Sequence, residues 1–252
     1  MLIETILVAF SMFSALPLPQ IRWNRRNLRY VLLAFPLVGA LIAFCCWVWT
    51  LLCNAWHFPE LLRGAGLCLI PVLLTGGIHL DGYVDTCDAL ASHGRPAQKR
   101  QILRDPHLGA FAAIRLGVYF VASLAFWTVL PTYRFWTVFC IFCLSRTLSG
   151  LALTLFPLAE DSSLARNFAE AADSELVRNL LFVYTALLCA GLALTGGWIV
   201  IPTAALIFFW YRRTALREFG GLSGDLAGWF LQKAELWMLG ALCLWQCIDL
   251  VI

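Results

Sequence analysis

The chain has 252 residues, of which 61% are hydrophobic and only 13% are charged. Because soluble domains carry about a quarter charged residues, this composition excludes an ordinary soluble enzyme, and a net charge of +3 gives no indication of a nucleic-acid partner. The mean hydropathy is +0.80, and the chain contains several apolar runs of the ~20 residues that are needed to cross a bilayer as a helix. Together these features predict an all-α fold. We expect a polytopic helical membrane protein whose single integral-membrane domain covers residues 1–252.

The N-terminal segment from Leu2 to Leu18 is apolar and is closed by two prolines. It is shorter than the ~20 residues that a transmembrane helix needs, so we expect a short interfacial or re-entrant helix. About six or seven transmembrane helices follow, and the sixth is short and contains Pro202. The candidate spans are roughly Tyr30–Ala55, Leu61–Ile78, Leu108–Leu130, Phe135–Leu158, Leu176–Leu194, Gly197–Tyr211 and Leu226–Ile252.

Basic residues between these spans lie overwhelmingly on one side of the membrane. Only Arg63 and Arg134 fall on the other side. Since connections rich in Lys and Arg stay in the cytoplasm, the richer side is predicted to be cytoplasmic. That side carries Arg22, Arg25, Arg26, Arg29, Arg95, Lys99, Arg100, Arg104, Arg166, Arg178, Arg212, Arg213 and Arg217.

The stretch from Gly76 to Gly109 is the strongest candidate for chemistry. In a helix, its residues Asp81, Asp85 and Asp88 occupy positions i, i+4 and i+7 on one face. Two like charges about 4 Å apart repel by about 4 kcal/mol at an effective dielectric constant of about 20. A hard divalent cation such as Mg²⁺ removes this repulsion. We therefore predict that the three aspartates are metal ligands and catalytic residues at the cytoplasmic end of a membrane helix.

The two glycines at the start of this stretch predict a break in the chain. A break at Gly76 and Gly77 lets a new helix start near His79 and places Asp81 in its first turn, where a carboxylate is favourable. On an ideal helix His79 projects away from the aspartate face. Its role stays open between a structural hydrogen bond and contact with the substrate, including general-base catalysis.

Asp105 precedes Pro106 at the start of the next apolar span. An aspartate before a proline is typical of an N-cap followed by a proline in the first helical position. Asp105 is equally a candidate for a metal ligand, which would make it a fourth catalytic carboxylate. Both alternatives stay open from the sequence alone.

Three arginines are candidates for contact with substrate phosphate groups. Arg104 lies next to Asp105, whereas Arg115 and Arg146 lie within apolar spans, where a charge costs about 3 kcal/mol or more. Buried arginines pair either with acids or with anionic substrates, and the planar guanidinium suits phosphate. For Arg115 and Arg146 both kinds of pairing stay open.

A glycine-rich segment precedes the last span, from Gly220 to Asp225. It is typical either of a loop that ends in a helix cap or of a turn whose backbone N–H groups approach phosphate oxygens. In the second interpretation Gly221 and Asp225 bind substrate.

Together these residues resemble the cobalamin (5′-phosphate) synthase family, also called adenosylcobinamide-GDP ribazoletransferases. The resemblance lies in four segments and in the start of the chain, and it covers essentially all 252 residues. The matching segments are residues 76–88, 104–111, 145–146 and 220–225, with residues 10–19 at the start.

The resemblance implies an enzyme of the bacterial cytoplasmic (inner) membrane that uses Mg²⁺. Such an enzyme joins adenosylcobinamide-GDP and α-ribazole, or α-ribazole 5′-phosphate, and releases GMP. We expect membrane lipid around it, and association with another copy or with other enzymes of the cobalamin pathway stays open.

Two other functions share some of these features. A lipid-directed CDP-alcohol phosphotransferase has a similar aspartate pattern, but Ile78 stands where the first aspartate of that family belongs. A membrane transporter would place its acidic residues near the middle of the bilayer on broken, repeat-related helices. Here the acidic residues cluster at one end of a span.

Overall fold

The chain forms helices connected by short loops. The computed structural model describes residues 2–19, 24–105, 107–159 and 174–249, and within these residues there is no β-strand, so the predicted all-α fold is confirmed. Of the residues named above, Arg22, Pro106, Arg166 and the last three of the final span lie outside the described part. The α-helices are α1 (Leu2–Phe13), α2 (Arg25–Leu28), α3 (Val31–Ala55), α4 (Glu60–Thr75), α5 (Ile78–Ala91), α6 (Pro96–Ile102), α7 (Ala110–Val129), α8 (Phe135–Leu155), α9 (Ser174–Leu194), α10 (Val200–Thr214) and α11 (Gly224–Asp249).

Four segments of the described chain are long and apolar enough to cross a membrane. They are Val31–Ala55, Ala110–Val129, Thr132–Leu155 and Glu175–Leu194, and α4 and α5 add a fifth if this bent pair is counted as one span. The prediction of a helical membrane protein is therefore confirmed, whereas six or seven spans are more than these criteria identify. The helix α10, the sixth predicted span, has only 15 residues, which is short of the ~20 that a bilayer requires.

The N-terminal helix is shorter than the apolar segment that contains it. α1 ends at Phe13, so the five residues up to Leu18 are not part of it. With 12 residues and a rise of about 1.5 Å per residue, α1 is about 18 Å long, too short to cross a hydrocarbon core of about 30 Å.

A sharp bend separates α4 from α5, as the two glycines predict. α4 ends at Thr75, and both Gly76 and Gly77 adopt left-handed conformations, with φ of +63° and +79°. Left-handed backbone is costly for residues with a Cβ, so glycine is favoured at both positions. The axes of α4 and α5 differ by 95°, and α5 therefore leaves the direction of the span that precedes it.

Two close helix pairs organise the bundle, and one of them contains α5. α3 packs closely on α8, because a Cβ on Gly39 would lie 2.4 Å from the carbonyl oxygen of Phe142. α5 packs most extensively on α11 and also contacts α7 and α6. The aspartate-bearing helix is thus held between the last helix of the chain and the α6–α7 region.

Candidate active site

The helix after the bend presents three aspartates on one face. α5 is uninterrupted over Ile78–Ala91, so Asp81, Asp85 and Asp88 share a face at positions i, i+4 and i+7. Asp81 is exposed, and the other two are half-buried. The Asp81 backbone N–H donates to the Gly77 carbonyl oxygen at 2.8 Å, which places this carboxylate in the first turn, near the positive end of the helix dipole.

A close approach between α5 and α11 adds a fourth carboxylate. A Cβ on Gly82 would lie 2.7 Å from the carbonyl oxygen of Asp225, and a Cβ on Gly228 would lie 2.8 Å from that of His79. Real Cβ atoms essentially never come so close to other atoms, so glycine at both positions allows the two backbones to meet. Asp225, in the first turn of α11, is thereby brought next to the aspartates of α5.

The four carboxylates are close enough to act on one another. Burial, followed by the negative charges of Asp81, Asp225 and Asp88, raises the pKa of Asp85 to about 6. Asp85 lies outside the four candidate spans. All three charges that act on it are negative, so the cluster repels itself unless a cation is bound. We refer to Asp81, Asp85, Asp88 and Asp225 as the carboxylate cluster.

The segment before α7 lies directly over one member of the carboxylate cluster. A Cβ on Gly109 would lie 2.0 Å from Oδ1 of Asp88 and 2.3 Å from Oδ2. Gly109 is the N-cap residue of α7, so the Asp88 carboxylate lies at the positive end of that helix. The fit of Asp88 depends on the absence of a side chain at Gly109.

Asp105 is not a helix cap. α7 starts at Ala110 with Gly109 as its N-cap, five residues after the predicted start, so the prediction of a cap at Asp105 is wrong. The Asp105 side chain accepts the backbone N–H of His107 at 3.0 Å and contacts its Nδ1 at 2.6 Å. These bonds hold the pKa of the exposed Asp105 carboxyl below its usual value. Asp105 is not among the charges that act on Asp85.

The three candidate arginines occupy different environments. Arg104 and Arg115 are exposed and can reach an anionic ligand. Arg146 is fully buried in α8 and forms an ion pair with Glu235, while its Nη1 donates to Ser145 Oγ at 2.9 Å. Of the two alternatives for Arg146, the structure shows pairing with an acid. A phosphate contact would require the bundle to open, so the predicted substrate role of Arg146 is not supported.

His79 also lies away from the carboxylate cluster. Its ring is 5% exposed and packs against Phe13 and Phe35, with ring centroids 6.3 Å and 5.9 Å away. Its Nε2 has no hydrogen-bond partner within the described part of the chain. The structure therefore gives His79 a place in the aromatic core beside the bend, without the access that contact with a substrate needs.

The glycine-rich segment before α11 is fixed by its own backbone hydrogen bonds. Gly220 has a φ of +75°, the Gly221 N–H donates to the Ala215 carbonyl oxygen at 2.9 Å, and the Leu222 N–H donates to the Pro157 carbonyl oxygen at 2.9 Å. The Gly221 N–H is thus already satisfied and is not available to a phosphate oxygen. This segment positions Asp225 instead of binding a ligand through Gly221.

Two charged residues of α11 received no specific role from the sequence. Glu235 is the partner of Arg146. Lys233 lies over the rings of Trp210 and Trp229, with its Nζ 4.0 Å and 5.2 Å from their centroids. Charged residues within an apolar helix signal such partners in general, but the sequence does not identify them.

The carboxylate cluster provides only part of the coordination that a metal ion needs. Within the described residues, no three His, Cys, Asp or Glu side chains are arranged to hold a metal ion by themselves. Carboxylate oxygens are nevertheless the ligands that Mg²⁺ prefers, and Mg²⁺ is usually bound by one or two carboxylates together with substrate phosphates and water. The carboxylate cluster therefore fits a Mg²⁺ ion whose coordination a phosphate ligand completes.

Comparison with known proteins gives a consistent result over nearly the whole chain. The family model described as cobalamin-5-phosphate synthase matches residues 5–243. The adenosylcobinamide-GDP ribazoletransferase of Lachnoclostridium phytofermentans is 36% identical over 237 residues, which cover 93% of this chain and 91% of that protein.

Two further relatives carry the same name. That of Clostridium perfringens strain SM101 is 29% identical over 92% of this chain and 94% of its own length. That of Desulfitobacterium hafniense is 32% identical over 82% of this chain and 84% of its own length. No solved structure matches the chain.

Proposed function

Because this chain belongs to the cobalamin-5-phosphate synthase family, we propose that it is an adenosylcobinamide-GDP ribazoletransferase. It joins adenosylcobinamide-GDP with α-ribazole, or with α-ribazole 5′-phosphate, and releases GMP. The names of the relatives support this activity. The structural observation that carries it is the carboxylate cluster, where three aspartates of α5 meet Asp225 and all the charges that act on Asp85 are negative.

The reaction requires one bond to phosphorus to form and another to break. A hydroxyl oxygen of the ribazole bonds to the phosphorus that carries cobinamide, and the bond from that phosphorus to the oxygen of the leaving GMP breaks. The hydroxyl proton passes to a carboxylate of the cluster, which acts as general base. One or two of the α5 carboxylates Asp81, Asp85 and Asp88, together with phosphate oxygens, would hold a Mg²⁺ ion. When bound, that ion would supply positive charge against the diphosphate.

The exposed Arg104 and Arg115 supply positive charge for the phosphate groups of the substrate. Arg104 ends the α6 region and Arg115 lies five residues inside α7, so both flank the segment that covers Asp88. A guanidinium binds two phosphate oxygens at once through its planar fork. In this proposal the arginines bind the phosphate groups and the carboxylate cluster binds the metal ion.

The site faces the cytoplasm in this proposal. The bend, the start of α11 and the start of α7 are on the side of the predicted spans that carries thirteen of the basic residues, and such residues stay in the cytoplasm. Guanine nucleotides and Mg²⁺ are available there. The enzyme is thus a multi-pass protein of the bacterial inner membrane with a cytoplasmic active face.

The test is release of GMP by the purified protein in lipid nanodiscs. The substrates are adenosylcobinamide-GDP and α-ribazole 5′-phosphate with Mg²⁺, and the variants are Asp81→Asn and Asp85→Asn. Glu175→Gln, an exposed acid of α9, is the matched control for loss of one charge. We expect release by the wild type and by the control, and loss of release in both cluster variants and in excess EDTA.

The outcomes separate the activity from its site. A folded wild type that releases no GMP contradicts the proposed function. Release that survives both substitutions keeps the function and contradicts the assignment of the carboxylate cluster.

A further inference from the structure

An open cleft lies beside the carboxylate cluster and is not used by the chemistry above. Its volume is about 410 Å³, and it is lined by Ser92, Gly94, Gln98, Gln101, Ile102 and Asp105. This volume is within the roughly 300–1,000 Å³ of typical small-molecule sites. Four of these residues have polar side chains, and Ile102 is the one lining residue with a large apolar side chain. The cleft therefore suits a polar ligand better than an apolar one.

The cleft is one helical turn from the carboxylate cluster. The Ser92 N–H donates to the carbonyl oxygen of Asp88 at 3.2 Å, so the cleft begins about 5.4 Å along the axis from that member of the cluster. Asp105 belongs to the segment that continues to Gly109, which lies on the Asp88 carboxylate. A ligand with its phosphates at the cluster can therefore extend into the cleft through a sugar.

The cleft carries the kinds of polar group that recognise the hydrogen-bonding edge of guanine. Guanine presents two neighbouring N–H donors, at N1 and at the 2-amino group, and one carbonyl acceptor, O6. The Asp105 Oδ1 atom contacts His107, and the Asp105 side chain is 55% exposed, so its carboxylate is accessible to a ligand. A carboxylate accepts both guanine donors, and an amide group donates to O6.

Two glutamine amides can supply that donor. The Gln98 carbonyl oxygen accepts the Arg95 backbone N–H at 2.9 Å, which directs the opposite, donating side of its amide elsewhere. Gln101 is exposed on the same helix. Adenine would place its N1 acceptor against the Asp105 carboxylate, and two acceptors repel.

We propose that this cleft binds the guanine base of the GDP moiety and that Asp105 determines the preference for guanine. The inference rests on the proposed function for the identity of the nucleotide. It gives Asp105 a role in substrate recognition in place of proton transfer. It also explains why this acidic residue lies near the carboxylate cluster without joining it.

The experiment measures binding of three free nucleotides to the full-length protein in nanodiscs. The probes are guanosine, adenosine and xanthosine 5′-diphosphates with Mg²⁺, and the variant is Asp105→Asn. Xanthine carries a carbonyl oxygen where guanine carries its 2-amino group, and the asparagine amide can donate to that oxygen. We expect the wild type to prefer guanosine over xanthosine diphosphate by at least tenfold, and the variant to reverse or abolish this preference.

Gln101→Ala provides a second, independent variant if Asp105→Asn does not fold. It removes one amide without touching the His107 contact, and we expect it to weaken binding of guanosine diphosphate several-fold while adenosine diphosphate is unaffected. Glu175→Gln is the control for loss of charge and should leave all three affinities unchanged.

Failure of this proposal is distinguishable from failure of the proposed function. If the wild type releases GMP but Asp105→Asn retains the wild-type nucleotide preference, the function stands and the guanine site is refuted. If the wild type binds the three nucleotides equally, the guanine site is refuted as well. Absence of GMP release contradicts the function itself.

Discussion

Replacement of Gly109 by alanine tests whether the position of the Asp88 carboxylate matters for activity. A Cβ at this position would lie 2.0 Å from Asp88 Oδ1, whereas ordinary contact begins at 3.4 Å. One of the two groups must therefore move by about 1.4 Å. The Gly109 backbone has a φ of −76°, which alanine adopts without strain, so the effect of the substitution is steric alone.

The carboxylate is the group that moves, because it is the end of a flexible side chain whereas Gly109 is backbone. The stability of the protein should then change little. A misplacement of about 1 Å at an active site can reduce the rate about 100-fold, so we expect Gly109→Ala to release GMP between 10- and 100-fold more slowly than wild type, with unfolding at nearly the same temperature.

A matched control is available on the same helix. A Cβ on Gly117 meets nothing within 4 Å, and Gly117→Ala should retain full activity with equal or higher stability. In an Asp88→Ala background, Gly109→Ala should cause no additional loss, because the two residues then no longer clash. Wild-type activity of Gly109→Ala would refute the assignment of Asp88 to the reaction.

Three further predictions concern the bend, the buried ion pair and the metal ion. Gly77→Ala should lower the free energy of unfolding, measured by denaturation in detergent, by about 1–2 kcal/mol. The reason is that φ is +79° at this position, and left-handed backbone is strained for alanine. Unchanged stability would contradict this prediction. Glu235→Leu should destabilise the protein by about 3–5 kcal/mol in the same assay, because the buried Arg146 loses its acidic partner. Adding Arg146→Met to this variant should restore much of the loss. Mg²⁺ should raise the unfolding temperature more with GMP present than alone, and an Asp81→Asn, Asp85→Asn double variant should show neither increase.

Features encoded in neighbouring residues could be predicted from the sequence. The aspartate face of α5 follows from helical periodicity. The bend follows from two adjacent glycines, which adopt left-handed backbone conformations without strain. The hydropathy likewise identifies the long spans. Each of these depends on interactions within a few residues of the chain.

Features that depend on distant segments could not be predicted. Arg146 and Glu235 are paired although 89 residues separate them, and the sequence shows two unmatched charges without showing that they meet. The Asp105 and Pro106 pair is typical of a helix start, yet α7 begins at Ala110. Gly109 is the N-cap residue instead of Asp105, and it lies against the Asp88 carboxylate. That long-range contact is not visible in the local sequence.

In the proposed mechanism, the arrangement of charges separates the group that binds the metal ion from the groups that bind the diphosphate. The buried cation Arg146 has its own acid in Glu235, and so it does not neutralise the carboxylate cluster. In the proposed mechanism the carboxylate cluster is therefore assigned to the metal ion, and exposed Arg104 and Arg115 are assigned to the phosphate oxygens. If Glu235 were absent, the positive charge of Arg146 would be left without an acid inside the bundle.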